Sequence, residues 1–449
     1  MVTAAGAVVL AATSLAACSV SSDDEDASST TSPTVAGETA DQDTSDTSAS
    51  DDTTGGGEES ASDGDAVVLG VAAADLERIA AFGIDVDPLD LGAMYQAWVD
   101  EQNEAGGVAG RPIELAYRAF IPLLEPEVQA SCVELTEDAD AFAVIGIYLN
   151  DSTLCVPETH ETPYIGLWGL TAERAERAVA PFLALEMAED RQRVAGIRVL
   201  ADEGLLDGTV GLYWQADDDA TVDAAVRPLL GELGIEPATE VRLDDFGDDQ
   251  TATDQALDAI VERLRSDGVE VVLNVSDVAS LLSAFQRKGW LPSQVLSTSQ
   301  QALSEELTEG TGLQPETLGA MEVAAPYAPT KDELLADPDV TACIDTYNAS
   351  GPEAPVDPEA LSDDSLVSIA GYCAAFRLFV AAADAAEGEL TAESFGAGAA
   401  SLGELTLPGV VAGSLGEAKF DVGDAIGRYR YDPATNTMVP VGEPIVVGE

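Results

Sequence analysis

Several loops of this chain carry side chains that could hold a small molecule through hydrogen bonds, stacking and charge. Ser152 and Thr153 supply two neighbouring hydroxyl groups, which suit an anionic or carbonyl group. Trp168 and Trp214 suit an apolar or flat body, because an indole ring offers a large apolar face. Asp277 suits an amine, because a carboxylate pairs strongly with an ammonium group. Together these residue types predict a binding site for an amino acid or a related amide or carboxylate.

Each of these assignments has a structural alternative. The hydroxyl pair could cap a helix, and Asp277 could cap the helix that it opens. Trp168 could stack on a ligand or fill the space that a ligand would use, and Tyr327 could face the ligand or pack in the core. Four further residues complete the predicted ligand-binding set, because they lie in or beside the same loops: Asn150, Tyr213, Ser276 and Tyr327.

The elements that must position these loops alternate between strand and helix. Short apolar runs bounded by polar residues, such as 67–71 and 142–148, predict strands buried on both faces. Amphipathic helices are predicted between them, as in the spacing of Leu91, Met94, Tyr95, Trp98 and Val99. This alternation predicts parallel sheets with right-handed crossovers, and ligands bind beyond the carboxyl ends of such strands. Three successive helices and a small antiparallel ending are predicted at 338–350, 363–386, 391–401 and 428–441.

The sequence contains no comparable pattern for catalysis or for metal binding. It contains no G-x-S-x-G motif, no P-loop and no group of residues with metal-ligand spacing. Its one histidine, His160, cannot complete a mixed zinc site alone. The 83 acidic residues make chance carboxylate pairs inevitable, so no glycosidase-like pair stands out. We therefore predict no enzyme, no cofactor and no bound metal.

The N-terminal segment predicts export and a lipid anchor. The apolar run 4–17 is shorter than the ~20 residues of a membrane-spanning helix and fits a signal peptide over 1–17. It ends in Leu-Ala-Ala before Cys18, which resembles a bacterial lipobox, where a lipid is joined to the cysteine sulfur. The alternative is an ordinary signal peptide with a chance cysteine. We predict a lipid on Cys18 and attachment to the outer face of the cell membrane.

The composition of the next segment predicts disorder, and the net charge of the chain restricts its binding partners. Residues 19–65 are mostly Ser, Thr, Asp, Glu and Gly, without Lys, Arg or aromatic residues. Such a segment cannot bury enough apolar surface to order itself, so 18–65 is predicted to be a lipidated, disordered tether. The net charge of −64 opposes binding to nucleic acid. The acidity is interpreted as a solubility feature or, alternatively, as attraction of cationic ligands or divalent ions.

Four further cysteines predict disulfides in an exported chain. Cys132, Cys155, Cys343 and Cys373 allow three connectivities, and proximity in the sequence favours Cys132–Cys155 and Cys343–Cys373.

Three stretches of the chain resemble one protein family. Residues 103–115 (NEAGGVAGRPIEL) resemble the N-x-x-G-G-h-x-G-R-x-h-E-L stretch of branched-chain amino-acid (Leu/Ile/Val) binding proteins. Residues 269–276 (VEVVLNVS) and 416–423 (GEAKFDVG) resemble the second lobe and the C-terminal segment of the same family. These are type I periplasmic binding proteins of ABC importers, and the order of elements agrees from about residue 66 to 440.

The resemblance implies a two-lobe α/β fold that closes on its ligand like a flytrap. Three crossover strands join the lobes, which are expected at 66–185 plus 326–405 and at 186–325 plus 406–449. Members of the family often carry a disulfide at the places of Cys132 and Cys155. The loop after the third strand usually presents hydroxyls and helix amides to a ligand carboxylate. Trp168 departs from the small residues usual at its place and favours a ligand other than Leu, Ile or Val.

The function implied is that of a solute-binding protein. It would be monomeric and would hand a small molecule to an ABC permease and its ATPase. The alternative is a ligand-sensing extracellular domain that partners a signalling receptor.

Overall fold

The computed structural model of the chain describes residues 66–81, 86–247, 249–304 and 306–448. The predicted signal peptide, Cys18 and the acidic tether lie outside the described residues.

The first lobe is built on a parallel sheet with strand order β2-β1-β3-β4-β5, counting the strands of the described residues. Its strands β1 and β3 are apolar and buried on both faces, because helices cover both sides of the sheet. The five strands are β1 (Val67–Ala74), β2 (Ile113–Phe120), β3 (Ala143–Gly146), β4 (Tyr164–Gly166) and β5 (Phe182–Ala184).

The second lobe is built on a mixed sheet with the order β14-β13-β10-β9-β8-β6-β7, and β15 pairs with β13. Strands β6 (Val210–Gln215), β7 (Thr239–Leu243), β8 (Val271–Asn274), β9 (Gln294–Ser297) and β10 (Met321–Pro326) run parallel. Strands β13 (Ala425–Asp432), β14 (Thr437–Pro440) and β15 (Ile445–Val446) add the predicted antiparallel ending. A separate antiparallel pair consists of β11 (Gly403–Leu405) and β12 (Gly413–Leu415).

Helices pack on both sheets and confirm the predicted α/β class. The helices of the first lobe are α1 (Leu76–Ala81), α2 (Leu91–Glu104), α3 (Glu125–Val133), α4 (Ala172–Arg177), α11 (Lys331–Ala336), α12 (Pro338–Ala349), α13 (Asp363–Asp384) and α14 (Ala392–Ala400). Those of the second lobe are α5 (Glu189–Asp202), α6 (Asp219–Thr221), α7 (Arg227–Glu232), α8 (Gln250–Ser266), α9 (Ala279–Lys288) and α10 (Pro315–Leu318). Among the helices that the structure describes, α13 has the length and composition of a membrane span, but 67% of its most apolar window is buried in the protein.

The turn between α2 and β2 shows how the sequence sets local structure. The Asp90 side chain accepts a hydrogen bond from the Ala93 amide and begins the helix. After the helix ends, Gly106 and Gly107 adopt positive φ angles of 120° and 76°. A Cβ atom on Gly107 would lie 1.9 Å from the Arg111 carbonyl oxygen, so this position requires glycine.

The chain crosses between the lobes three times. The first crossing joins β5 to α5 through residues 185–188, and the second joins β10 to α11 through 327–330. The third enters β13 through 423–424, and it lies beside the first because the Val422 amide donates to the Ala184 carbonyl at 2.8 Å. Three crossings are what the family resemblance implies.

The third crossing lies later in the chain than the predicted lobe boundary at 405/406. Leu407, Leu415 and Val422 are buried in the core of the first lobe. The backbone pairing of residues 420–423 with 184–185 holds this segment against the first sheet. The second lobe takes up the chain again at β13.

Both predicted disulfides are confirmed. Cys132–Cys155 joins α3 to the single turn after β3, and Cys343–Cys373 joins α12 to α13.

Candidate ligand-binding site

A cavity lies at the junction of the two lobes. It encloses about 1230 Å³ of empty space, part of it open to solvent. The residues around it come from the ends of β1, β3 and β4, from α13 and from all three crossings. Most of the lining is apolar, and its larger members include Leu167, Trp168, Leu185, Met187, Tyr372 and Val410. The cavity therefore suits a ligand with an apolar body, held where the lobes meet.

Trp168 brings an unused hydrogen-bond donor to this cavity. The residue lies two positions after the end of β4 and is half-buried. Its indole nitrogen Nε1 is buried and has no hydrogen-bond partner in the part of the chain that the structure describes. A buried N–H group without a partner costs about 1–3 kcal/mol. A ligand acceptor at this nitrogen would remove that cost.

Glu186 brings an acidic group to the same cavity. It lies in the first crossing between the buried residues Leu185 and Met187. Burial raises the pKa of its carboxyl group to about 7, the charge of Glu189 acts in the same direction, and a hydrogen bond with Gln300 opposes both. Gln300 also lines the cavity and follows β9. The pair therefore connects a crossing to the second lobe.

A second acid in the lining, Asp424, is already neutralised. Its carboxylate lies 2.9 Å from Arg191 and 3.3 Å from Lys419, and it accepts the Ser414 hydroxyl at 2.6 Å. Arg191 also contacts Asp421 at 2.7 Å. This buried ionic cluster holds the third crossing to α5 and leaves Glu186 as the acidic group available to a ligand.

Of the predicted ligand-binding residues, Trp168 and Tyr327 line the cavity. The Tyr327 hydroxyl donates to the Glu333 carboxylate, at 2.7 Å from Oε1. Burial raises the pKa of Tyr327 above its ordinary value, and the contact with Glu333 adds to the increase.

The predicted loop after β3 lies elsewhere, and its hydroxyls bond within the loop. Ser152 donates to the Leu149 carbonyl at 2.5 Å, and Thr153 donates to the Asn150 carbonyl at 2.8 Å. Asn150 and Ser152 line a separate depression beside Leu123. The structure therefore shows these hydroxyls in local structural roles.

Trp214, Ser276 and Asp277 of the second lobe also have partners away from the interlobe cavity. The Trp214 indole nitrogen donates to Asp219 at 2.7 Å, and the Ser276 hydroxyl donates to Asp218 at 2.5 Å. Asp277 accepts from the Ala279 amide at the beginning of α9, and burial raises its pKa. Tyr213 is fully buried. Their role in ligand binding stays a prediction.

Sequence reasoning missed Glu186 and Gln300. The signal for Glu186 is a single acid that interrupts the apolar run 182–187. Gln300 has no comparable signal, because its position depends on how the second lobe approaches the first crossing.

One further cluster has the composition of a metal site. Cys132, Cys155 and His160 bring their ligand atoms within 4.8 Å of one another. The two sulfurs form a disulfide bond and are therefore not the thiolates that bind metals.

Comparison with known proteins defines the class to which this two-lobe chain belongs. The profile of the family described as periplasmic binding protein matches residues 90–418. The chain belongs to the periplasmic binding protein family. No curated protein matches it.

Solved structures share the fold across most of the chain. A solute-binding protein of an R. palustris ABC transporter, in complex with 4-hydroxybenzoate, is 16% identical, with a TM-score of 0.57 over 85% of this chain and 98% of that one. A leucine-binding protein from Thermotoga maritima is 14% identical, with a TM-score of 0.57 over 85% and 99%. A substrate-binding protein of a Desulfitobacterium hafniense ABC transporter, in complex with Leu, is 14% identical, with a TM-score of 0.55 over 84% and 100%. The type I two-lobe fold predicted from the sequence is thereby confirmed.

Proposed function

We propose that this protein is an extracytoplasmic solute-binding protein that holds a small molecule in the interlobe cavity and delivers it to an ABC permease. It performs no covalent chemistry on the ligand. The observation that carries the proposal is the cavity itself, which Trp168, Glu186 and residues of all three crossings line.

The position of the cavity supports a role in which ligand binding is coupled to lobe closure. Residues from the first lobe, from the second lobe and from each crossing line it, so a ligand there contacts parts that move when the lobes rotate. Ligand binding would favour the closed arrangement because it adds contacts that the open arrangement lacks. A permease could then distinguish the loaded form from the empty one.

Delivery to a membrane complex also fits the N-terminal segment. We propose that the lipid on Cys18 attaches the protein to the outer face of the membrane and that the acidic tether lets the two lobes reach the permease. The permease and its ATPase are the partners of this proposal.

A thermal-shift screen of amino acids, amides, amines and aromatic acids tests the proposed function. A true ligand at 100 times its Kd should stabilise the protein by ~2.7 kcal/mol. Trp168→Ala should abolish that shift, because it removes both the indole ring and its N–H donor. Glu176→Gln, at an exposed position of α4 outside the cavity lining, is the control and should preserve the shift. Stabilisation that Trp168→Ala leaves intact would contradict this assignment of the site.

A further inference from the structure

We propose that the interlobe cavity selects a neutral or cationic, largely apolar ligand, with an acceptor for Trp168 and an N–H or ammonium donor for Glu186. This inference rests on the proposed function, because it specifies the ligand class of the same cavity. A free carboxylate on the same apolar body should bind poorly.

No cation is available in the cavity to balance an anionic ligand. None of the described residues that line it is Lys, Arg or His. The residues outside the described ranges contain no Lys or Arg in the sequence, so they cannot supply a cation either. The single histidine lies beside Glu137, with 3.6 Å between His160 Nδ1 and the carboxylate.

Cations on neighbouring segments are bound to protein carboxylates. Arg191, which follows the first crossing, contacts Asp421 at 2.7 Å and Asp424 at 2.9 Å. Arg174, beyond the loop that carries Trp168, contacts Asp151 at 3.2 Å and donates to the Gly169 carbonyl at 2.8 Å. Neither arginine lines the cavity. Both arginines are thus charge-balanced by protein carboxylates, although Arg191 Nη1 is buried without a hydrogen-bond partner among the described residues.

Three backbone amides in or after the loops that follow β3 and β4 are also occupied by protein groups. The Ala172 amide, at the beginning of α4, donates to the Asp190 carboxylate at 2.5 Å. The Arg174 amide donates to the Thr171 hydroxyl at 3.1 Å, and the Leu149 amide donates to the Ser152 hydroxyl at 3.2 Å. These three amides are therefore not available to a ligand carboxylate.

Two polar groups of the lining, those of Glu186 and Trp168, favour the opposite kind of ligand. Glu186 has Gln300 as its hydrogen-bond partner and no cation beside it. A buried carboxylate gains from an N–H or ammonium donor, because the surrounding apolar residues screen the interaction weakly. The free N–H group of Trp168 requires an acceptor, such as an amide or ether oxygen. The net charge of −64 adds a field that attracts cations and repels anions.

Matched sets of probes test this ligand class on the folded chain. Each set keeps one apolar body (phenyl, 3-methylbutyl or indolyl) and changes the polar group among amine, primary amide and carboxylate. Calorimetry at pH 8 should give the amine or the amide at least ~10-fold tighter binding than the carboxylate of the same set. Glu186→Gln should weaken the amine by ~10-fold or more and change the amide by less than ~3-fold. Trp168→Phe should weaken the amide, and Glu176→Gln, at an exposed position outside the cavity lining, should change neither.

The outcomes separate this inference from the proposed function. Carboxylates that bind as tightly as the amines, with affinity lost in Trp168→Phe, would overturn the ligand class while the proposed function stands. If no probe binds, or if binding is indifferent to both Trp168→Phe and Glu186→Gln, the proposed function fails and the inference fails with it.

Discussion

Burial of Glu186 disfavours the charged form of its carboxyl group. Its carboxyl pKa of about 7 lies above the ordinary value of 4.5, mainly because neighbours such as Leu185 and Met187 exclude water from it. Between these two pH values the folded protein holds the proton more tightly than the unfolded chain does. The contribution of Glu186 to the free energy of unfolding therefore decreases as the pH rises from 4.5 to 7. A protein retains such a group at a stability cost where the group has a partner to bind.

Glu186→Gln should remove this cost. The substitution keeps the size and the hydrogen bond to Gln300, but it carries no charge that burial can penalise. We expect the free energy of unfolding to rise by ~1–3 kcal/mol at pH 8 and to change little at pH 4.5. Urea unfolding at the two pH values measures the difference, and Glu176→Gln on the exposed face of α4 is the control. Equal stability of Glu186→Gln and the parent protein at pH 8 would show that the Glu186 carboxylate is well solvated.

At the scale of elements, the turn from α2 to β2 depends on glycines for two different reasons. Gly107 and Gly110 have nearly the same backbone angle, with φ of 76° and 73°. Around Gly110 a Cβ atom would meet nothing within 4 Å, whereas at Gly107 it would meet the Arg111 carbonyl at 1.9 Å. Backbone strain is therefore common to both positions, and the steric clash is specific to Gly107.

Alanine substitution should separate the two effects. Gly110→Ala should destabilise the protein by ~1 kcal/mol, because only the positive φ angle opposes it. Gly107→Ala should cost ~3 kcal/mol or more, because the backbone of the turn must also move. Urea unfolding of both variants gives the comparison. Similar losses in the two variants would mean that the turn adjusts freely and that the close approach to Arg111 is not required.

At the scale of the whole molecule, acidic residues far outnumber basic residues. The chain has 83 acidic and 19 basic residues, and bases near the interlobe junction are used in pairs such as Arg191 with Asp421 and Arg193 with Asp218. The excess of acidic residues therefore gives the protein a negative electrostatic field. This field favours cationic solutes near the cavity and opposes close contact with anionic lipid.

Attachment to such a membrane requires an apolar anchor, which the sequence predicts at Cys18. Intact mass measurement of the membrane-extracted protein should show a chain that begins at Cys18 and carries lipid on it. Cys18→Ser should move the protein from the membrane fraction to the soluble exported fraction while ligand-induced stabilisation persists. A soluble parent protein with an unmodified cysteine would contradict the anchor.

The sequence by itself determined the α/β class, most strands and helices and the glycine turn before β2, and it favoured the two disulfides among three possible pairings. These features depend on neighbours in the chain, because apolar periodicity and turn residues act over a few positions. The sequence also placed Trp168 and Tyr327 among the candidates for the binding site, since both lie at strand ends.

Only the tertiary structure decided which groups at the strand ends share a cavity and which form hydrogen bonds with other protein groups. Ser152 and Thr153 bond to carbonyls of their own loop, and Asp277 accepts the amide that begins α9. Glu186 and Gln300 are far apart in the sequence and meet because the first crossing runs beside the end of β9. The physical reason is that a hydrogen-bonding group is available to a ligand only when no nearer protein group satisfies it, and that depends on contacts between distant segments.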